Sequence, residues 1–237
     1  MAILAPLAVR FLAPSLITKG EDSVLQVDVE REGVEVTITT PSLLVYTKDG
    51  LLAGSPFAVT TSGTTLSATV GGSATTDIKV SGRWMVQWKF TVTGDRAYRP
   101  YNAAALCLAD LQCPVGVTDI TARHTQMSIL LGSAATVQAK ITQAWGELVS
   151  KLYADETPFW NLRSGSVLRP WLIARTRELC FSDMATAHHS GAIYADAAIA
   201  AGELAGPIYS ALHVRMDDDG NNTLTARSVP VNDPRLP

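Results

Sequence analysis

Cysteine is scarce and odd in number: Cys107, Cys113 and Cys180 are the only three in 237 residues. They are too few and too scattered for a disulfide scaffold, and read as buried free thiols made in a reducing compartment. Charge is thin as well, with Asp, Glu, Lys and Arg at 17% and a formal net charge of −3. Nothing in that balance marks nucleic acid as the main partner. No run approaches the roughly 18 uninterrupted apolar residues of a membrane-crossing helix.

The motifs of common chemistries are missing too. There is no Walker A sequence and no G-x-G-x-x-G after a strand, hence no nucleotide cradle. No G-x-S-x-G, His-Glu-x-x-His or Cys-x-x-Cys occurs, so neither a nucleophile elbow nor a standard metal pair is indicated. These absences lead to the expectation of a chain that is not an enzyme and uses no cofactor.

The N-terminus, MAILAPLAVRFLAPSL, is apolar but unlike a signal peptide. It has no basic opening, Pro6 and Pro14 break any helix, and Arg10 interrupts the apolar run. Residues 1–20 read as an extended arm that needs a surface to lie on, its own domain or a neighbouring subunit.

What is present divides in two. Over residues 21–98 the pattern has period 2: Val34, Val36 and Ile38 alternate with polar residues, and Trp84, Val86, Trp88, Phe90 and Val92 share one side of WMVQWKFTV. LQVDV and TLSATV behave alike, and Asp49-Gly50 signals a hairpin. This half predicts an antiparallel β-sandwich or open barrel. Trp84 and Trp88 would make a sugar-stacking platform if exposed, but their shared face with Val86 and Phe90 favours core filling.

Residues 99–222 predict a helical bundle, giving an α+β chain in two parts. A short helix is expected at 103–111. Met127, Leu130, Ala134, Val137, Ile141, Trp145, Leu148 and Leu152 then form one helical stripe, with Thr118 or Asp119 as cap and Gly132 and Gly146 as interruptions. A second helix is read near 167–181, with Arg163, Arg169, Arg175 and Arg177 in or before it. A third, at 190–213, carries the stripe Ile193, Ala197, Ala200, Leu204, Ile208 and Leu212, with a kink expected at Gly206-Pro207. Residues 223–237 hold three prolines in ARSVPVNDPRLP and read as an extended C-terminal arm.

Two constellations invite a metal. In HVRMDDDGNNT, aligning Gly220 with the invariant glycine of a calcium loop puts Arg215 at its first position and Ala226 at its twelfth, where carboxylates are required. The run reads as a polar turn instead. His188 and His189 are adjacent, about 100° apart on a helix, and neither lies three or four residues from Asp183. A metal-dependent hydrolase built on this pair and the nearby aspartates is the enzyme alternative; no metal ligand is assigned.

The order of parts carries a resemblance. VGVTDI leads into a helix with ITQAW, then RPWLIARTRELCF, then YADAAIAAGELAGPIYSAL ending in RMDDDGN. Over residues 100–222 this layout resembles the head–tail connector (neck adaptor) proteins of tailed bacteriophages. The resemblance implies a homo-oligomeric ring, commonly of twelve subunits, between portal and tail around the DNA channel, made in the host bacterial cytoplasm and located in the virion neck. It implies contact with the portal through Ser228, Val229, Pro230, Val231, Asn232, Asp233, Pro234, Arg235, Leu236 and Pro237, and a bridging role for the N-terminal arm. The alternative expectation is a tail, baseplate or fibre component whose β domain recognises glycan or protein.

Overall fold

A computed structural model describes residues 6–11, 13–93, 95–122, 124–125, 127–155, 157–187, 191–210, 213–216 and 225–228. The chain divides into two compact units, Met1–Asp110 and Leu111–Pro237. The first is built of strands and the second mostly of helices, an α+β chain in two parts.

The strands of the first unit are β1 (Leu7–Arg10), β2 (Ser15–Thr18), β3 (Ser23–Arg31), β4 (Val34–Glu35), β5 (Ile38–Thr47), β6 (Gly50–Leu51), β7 (Phe57–Ser62), β8 (Thr65–Val70), β9 (Ser81–Val92), β10 (Ala97–Tyr98) and β11 (Tyr101–Cys107). Their hydrogen-bonded order is β1-β3-β8-β7-β5-β9-β11-β2. β7 pairs with β5 at Phe57 and Ala58 and with β8 from Val59 to Ser62, so it passes from one sheet to the other. β1 pairs antiparallel with β3, whereas β2 pairs parallel with β11. The N-terminal segment thus starts on one sheet and crosses to the other. This is the strand order of an immunoglobulin-type sandwich.

Period 2 explains the core. Along β3, Ser23, Leu25, Val27 and Val29 are buried while Val24, Gln26 and Asp28 are exposed. Along β9, Trp84, Val86, Trp88, Phe90 and Val92 are buried against Leu25, Val27, Leu43 and Leu66. A hairpin forms one residue earlier than the Asp49-Gly50 signal: Lys48 and Asp49 make the turn, and Gly50, at φ +128°, which favours glycine, pairs with Thr47. At the far end of the sandwich, Arg31 Nη2 reaches Asp95 Oδ2 at 2.6 Å and Tyr98 donates its hydroxyl to the same oxygen.

Three expectations change here. The arm read over residues 1–20 supplies two strands of the unit's own sheets, β1 and β2. The helix expected at 103–111 is β11, because YNAAALC lies between β9 and β2 and both edges are paired. A strand buried this fully reads as a continuous apolar run, and its alanines mimic a helix. The boundary expected after residue 98 therefore falls after Asp110.

The second unit contains α1 (Val117–Thr121), α2 (Met127–Leu130), α3 (Ala134–Ala154), α4 (Arg169–Ala187) and α5 (Gly191–Ser210), then strands β12 (His213–Met216) and β13 (Thr225–Ser228). The single stripe from Met127 to Leu152 is broken into α2 and α3 at Gly132, whose φ is +90°. Ser133 caps α3, accepting from the Thr136 amide at 3.2 Å. Asp119 caps α1 from inside its first turn, accepting from the Gly116 amide at 2.9 Å. α3 buries Val137, Ile141, Ala144, Leu148 and Leu152, while α4 buries Trp171, Leu172, Cys180, Phe181 and Met184. The helix expected to run to residue 213 ends at Ser210, and His213 begins a strand that pairs with Ser228.

Candidate interaction surface

α5 is held to the rest of its unit by small residues. Its buried side chains are Ala198, Ala201, Ala205 and Tyr209, spaced three or four apart. Gly202 lies beside this stripe; a Cβ there would stand 3.0 Å from the Glu178 carboxyl carbon on α4. Glu178 is itself engaged, since Arg175 bonds it at 2.7 Å and Glu147 of α3 at 2.7 Å. The far end is pinned by Tyr209, which donates to Asp155 Oδ2 at 2.6 Å under Lys151, whose Nζ lies 4.0 Å from the ring centroid. Burial, then the Asp155 bond, pushes the Tyr209 hydroxyl well above the ordinary phenol range.

Among the described residues the opposite face is uncovered, and it mixes large apolar side chains with two acids. Ile193, Ile199 and Leu204 are 71%, 60% and 61% exposed. At 100° per residue, these three, with Asp196, Ala200, Glu203 and Pro207, fall within an arc of about 140°. The helix carries two acids, Asp196 and Glu203, and no Lys or Arg. The stripe read from sequence, Ile193, Ala197, Ala200, Leu204, Ile208 and Leu212, was expected to be the packed face; Ile193, Ala200 and Leu204 instead point outward, Ala197 and Ile208 are half-buried, and Leu212 lies outside the described residues. Alanine and glycine let α5 approach α4 closely, so the small residues turn in and the large ones out.

A cavity of about 270 Å³ opens on the packed side of α5, at Tyr194. Its lining includes Met127, Leu130, Phe181, Met184 and Tyr194, with His124 set edge-on to Phe181 at 5.2 Å between ring centroids. Exposed Ile129, 76% accessible, sits on the same turn as Met127 and Leu130. A ridge of large apolar residues and an apolar socket thus occur in one unit.

The residues singled out from sequence fall as follows. Ser228 ends β13; Val229, Pro230, Val231, Asn232, Asp233, Pro234, Arg235, Leu236 and Pro237 lie outside the described residues, as do His188, His189 and the run Asp217 to Asn222. Asp183 pairs with Lys140 at 2.6 Å, and no group of three or more His, Cys, Asp or Glu suited to a metal occurs among the described residues. Arg169 pairs with Asp119 at 2.6 Å and Arg175 with two glutamates, so half of the expected positive patch is neutralised locally. Trp84 and Trp88 are 3% and 1% exposed, which removes them as a sugar platform. Burial pushes the Cys107 thiol up to about 12 and Cys180 up to about 11, and raises Cys113 as well, so none is a ready thiolate.

No protein-family model matches the chain, and no curated protein matches it as a relative. Among solved structures it is similar to the M1 domain of titin, at 12% identity and a TM-score of 0.27, over 43% of this chain and 93% of that one. It is also similar to Dpr2 Ig1-Ig2, solved in complex with DIP-Theta Ig1-Ig3, at 11% identity and a TM-score of 0.27, over 47% of this chain and 49% of that one. The sandwich assignment rests on the strand order given above. Among the described residues no helix is long and apolar enough to cross a membrane.

Proposed function

We propose that the chain is a non-enzymatic structural component of a tailed-phage virion: a head–tail connector subunit that forms a ring between portal and tail around the DNA channel. The observation that carries this reading is the outward face of α5. A helix that packs through alanines and presents Ile193, Ile199 and Leu204 to solvent, beside the acids Asp196 and Glu203, offers a partner a second face. The socket at Met127, Leu130 and Met184 supplies a second, different patch. Two different complementary patches on one molecule make a heterologous contact, which closes into a ring when the rotation closes. In this reading the helical unit is the connector bundle, and the segment from Ser228 to Pro237 reaches the portal.

The test is the copy number of this chain in purified virions, by quantitative mass spectrometry against portal and capsid. A number near that of the portal is expected; absence from particles would overturn the reading. A chain lacking residues 229–237 keeps the β12–β13 pairing and is expected to be lost from particles. A second reading, a tail, baseplate or fibre component with a protein-recognising β unit, is favoured by Met85 and Tyr101. They are 40% and 52% exposed on the paired strands β9 and β11. A copy number several-fold away from the portal would select it.

A further inference from the structure

Among the described residues, the outer side of strands β5, β9 and β11 is open and apolar at its centre. By register Leu51, Tyr46, Met85 and Ala103 stand side by side across β6, β5, β9 and β11, and Leu44, Gln87 and Tyr101 make the next row. Leu51, Met85 and Tyr101 are 51%, 40% and 52% exposed. Gln87 belongs to the same face but is 4% exposed, and its side-chain oxygen accepts from the Tyr46 hydroxyl at 3.4 Å. The middle of the face is therefore dry, and that carbonyl is engaged.

Charge lies along the midline. Arg83 and Lys89, both exposed, flank Met85 and Gln87 on β9, and neither has a side-chain partner among the described residues. β5, β9 and β11 contain no Asp or Glu. The outward face of α5 has the converse pattern. At 100° per residue Asp196 and Glu203 fall about 20° apart near the middle of that face, with Ile199 to one side and Ile193 and Leu204 to the other. Both acids are exposed and likewise without a side-chain partner among the described residues.

We infer that this sheet face takes the outward face of α5 from a second copy of the chain. Two α5 faces set together would oppose acid to acid, and two sheet faces base to base. Only the mixed contact joins opposite charges. The socket at Met127 and Met184 has no Lys or Arg among its lining residues, so the acids of α5 need a base from elsewhere. The spans agree. Arg83 and Lys89 are about 20 Å apart along the strand, and Asp196 and Glu203 about 10 Å apart along the helix. A helix laid along β9 over Met85 and Gln87 holds both acids between the two bases. Each base then reaches inward by about 5 Å, less than its own length. Ile199 meets one apolar flank of the sheet face, and Ile193 with Leu204 the other. The contact is heterologous, and every chain offers both halves of it. It rests on the assembly reading above only for the neighbouring copy.

The test uses the full chain, prepared with natural and with heavy nitrogen, mixed in equal parts and treated with a carbodiimide, which joins an amine to a carboxylate without a spacer. Peptide mass spectrometry counts the links that join a light chain to a heavy one. Links from Lys89 to Asp196 or Glu203 are expected at least tenfold above those from Lys79, an exposed loop lysine, to the same acids. Met85→Asp, and separately Ile199→Ser, should each lower the Lys89 links tenfold while the variant keeps a cooperative thermal transition. Equal yields at positions 89 and 79, links confined to chains of one isotope, or insensitivity to both substitutions would overturn the proposal. Lys89 links from a chain that is absent from virions would sink the connector reading and leave this contact standing. A chain present at the portal's copy number but without those links would do the reverse.

Discussion

Replacing Ile199 and Leu204 together by serine tests whether the outward face of α5 is an interface or merely surface. Fully burying a Leu or Ile side chain is worth about 1.5–3 kcal/mol. With 60% and 61% of these residues still accessible, each has roughly 1–2 kcal/mol of burial left for a partner to collect. The pair therefore forfeits about 2–4 kcal/mol per contact, a weakening of roughly 30- to 700-fold. The isolated chain loses the part already covered, roughly 0.4 of each side chain or about 1–2.5 kcal/mol for the pair, so incorporation has to be compared with the variant's own stability. The assay is competition: variant and unaltered chains are co-expressed during particle assembly, and their ratio in purified particles is read by mass spectrometry against the ratio in the lysate. A variant depleted tenfold or more, with a melting temperature lowered by only a few degrees, is the expected result. Equal incorporation would refute the argument that this face is covered in the assembly. A melting temperature lowered by many degrees would show instead that the face packs within its own chain.

Trp88→Ala should cost about 3–5 kcal/mol and unfold the β unit near room temperature, read by loss of the cooperative thermal transition, because the indole is 1% exposed at the centre of the sandwich. Gly72→Ala should cost about 3 kcal/mol or more in chemical denaturation, since a Cβ there would stand 2.6 Å from the backbone of Gly20 and Glu21. For Cys180, burial raises the thiol to about 11, so the folded state holds the proton more tightly than the unfolded one. The stability this confers is present below the unfolded thiol's value and is lost as pH rises from about 9 towards 11; Cys180→Val should flatten that slope in denaturation measured from pH 8 to 10.5. Asp119 runs the other way: the Gly116 amide, then Arg169, holds its carboxyl below the usual range, so its contribution disappears as pH falls below about 4. Asp119→Asn should make acid unfolding of the helical unit less steep.

How much of this was legible depended on whether one face decides the pattern. β3 and β9 have one wet and one dry side, so alternation marks both their existence and their core residues. β11 has a strand on each edge and four successive buried residues, Ala104 to Cys107, so alternation vanishes and alanine content points to a helix. The break before α3 was signalled by Gly132, whereas Gly146, equally visible in the sequence, is carried inside the helix. Sequence spacing separates the two glycines poorly; only one sits at positive φ.

The helix α5 shows why a correct period still gave the wrong face. Two stripes of period 3.6 coexist on it, Ile193-Ala200-Leu204 and Ala198-Ala201-Ala205-Tyr209, and hydrophobicity alone ranks the first as the core. Close packing ranks them the other way. α4 presents the Arg175–Glu178 pair to α5, and a Cβ at 202 would stand 3.0 Å from the Glu178 carboxyl and displace it by a few tenths of an ångström, so the small stripe fits against it best. A large stripe there would separate the helices and lose the close contact of Ala198, Ala201 and Ala205. Tyr209 fixes the choice at the other end, because its hydroxyl reaches Asp155 only if the alanine side is inward. The charged pair and the glycine, not the isoleucines, set the rotation of the helix. The isoleucines are then left outward, on the face that the proposed assembly would cover.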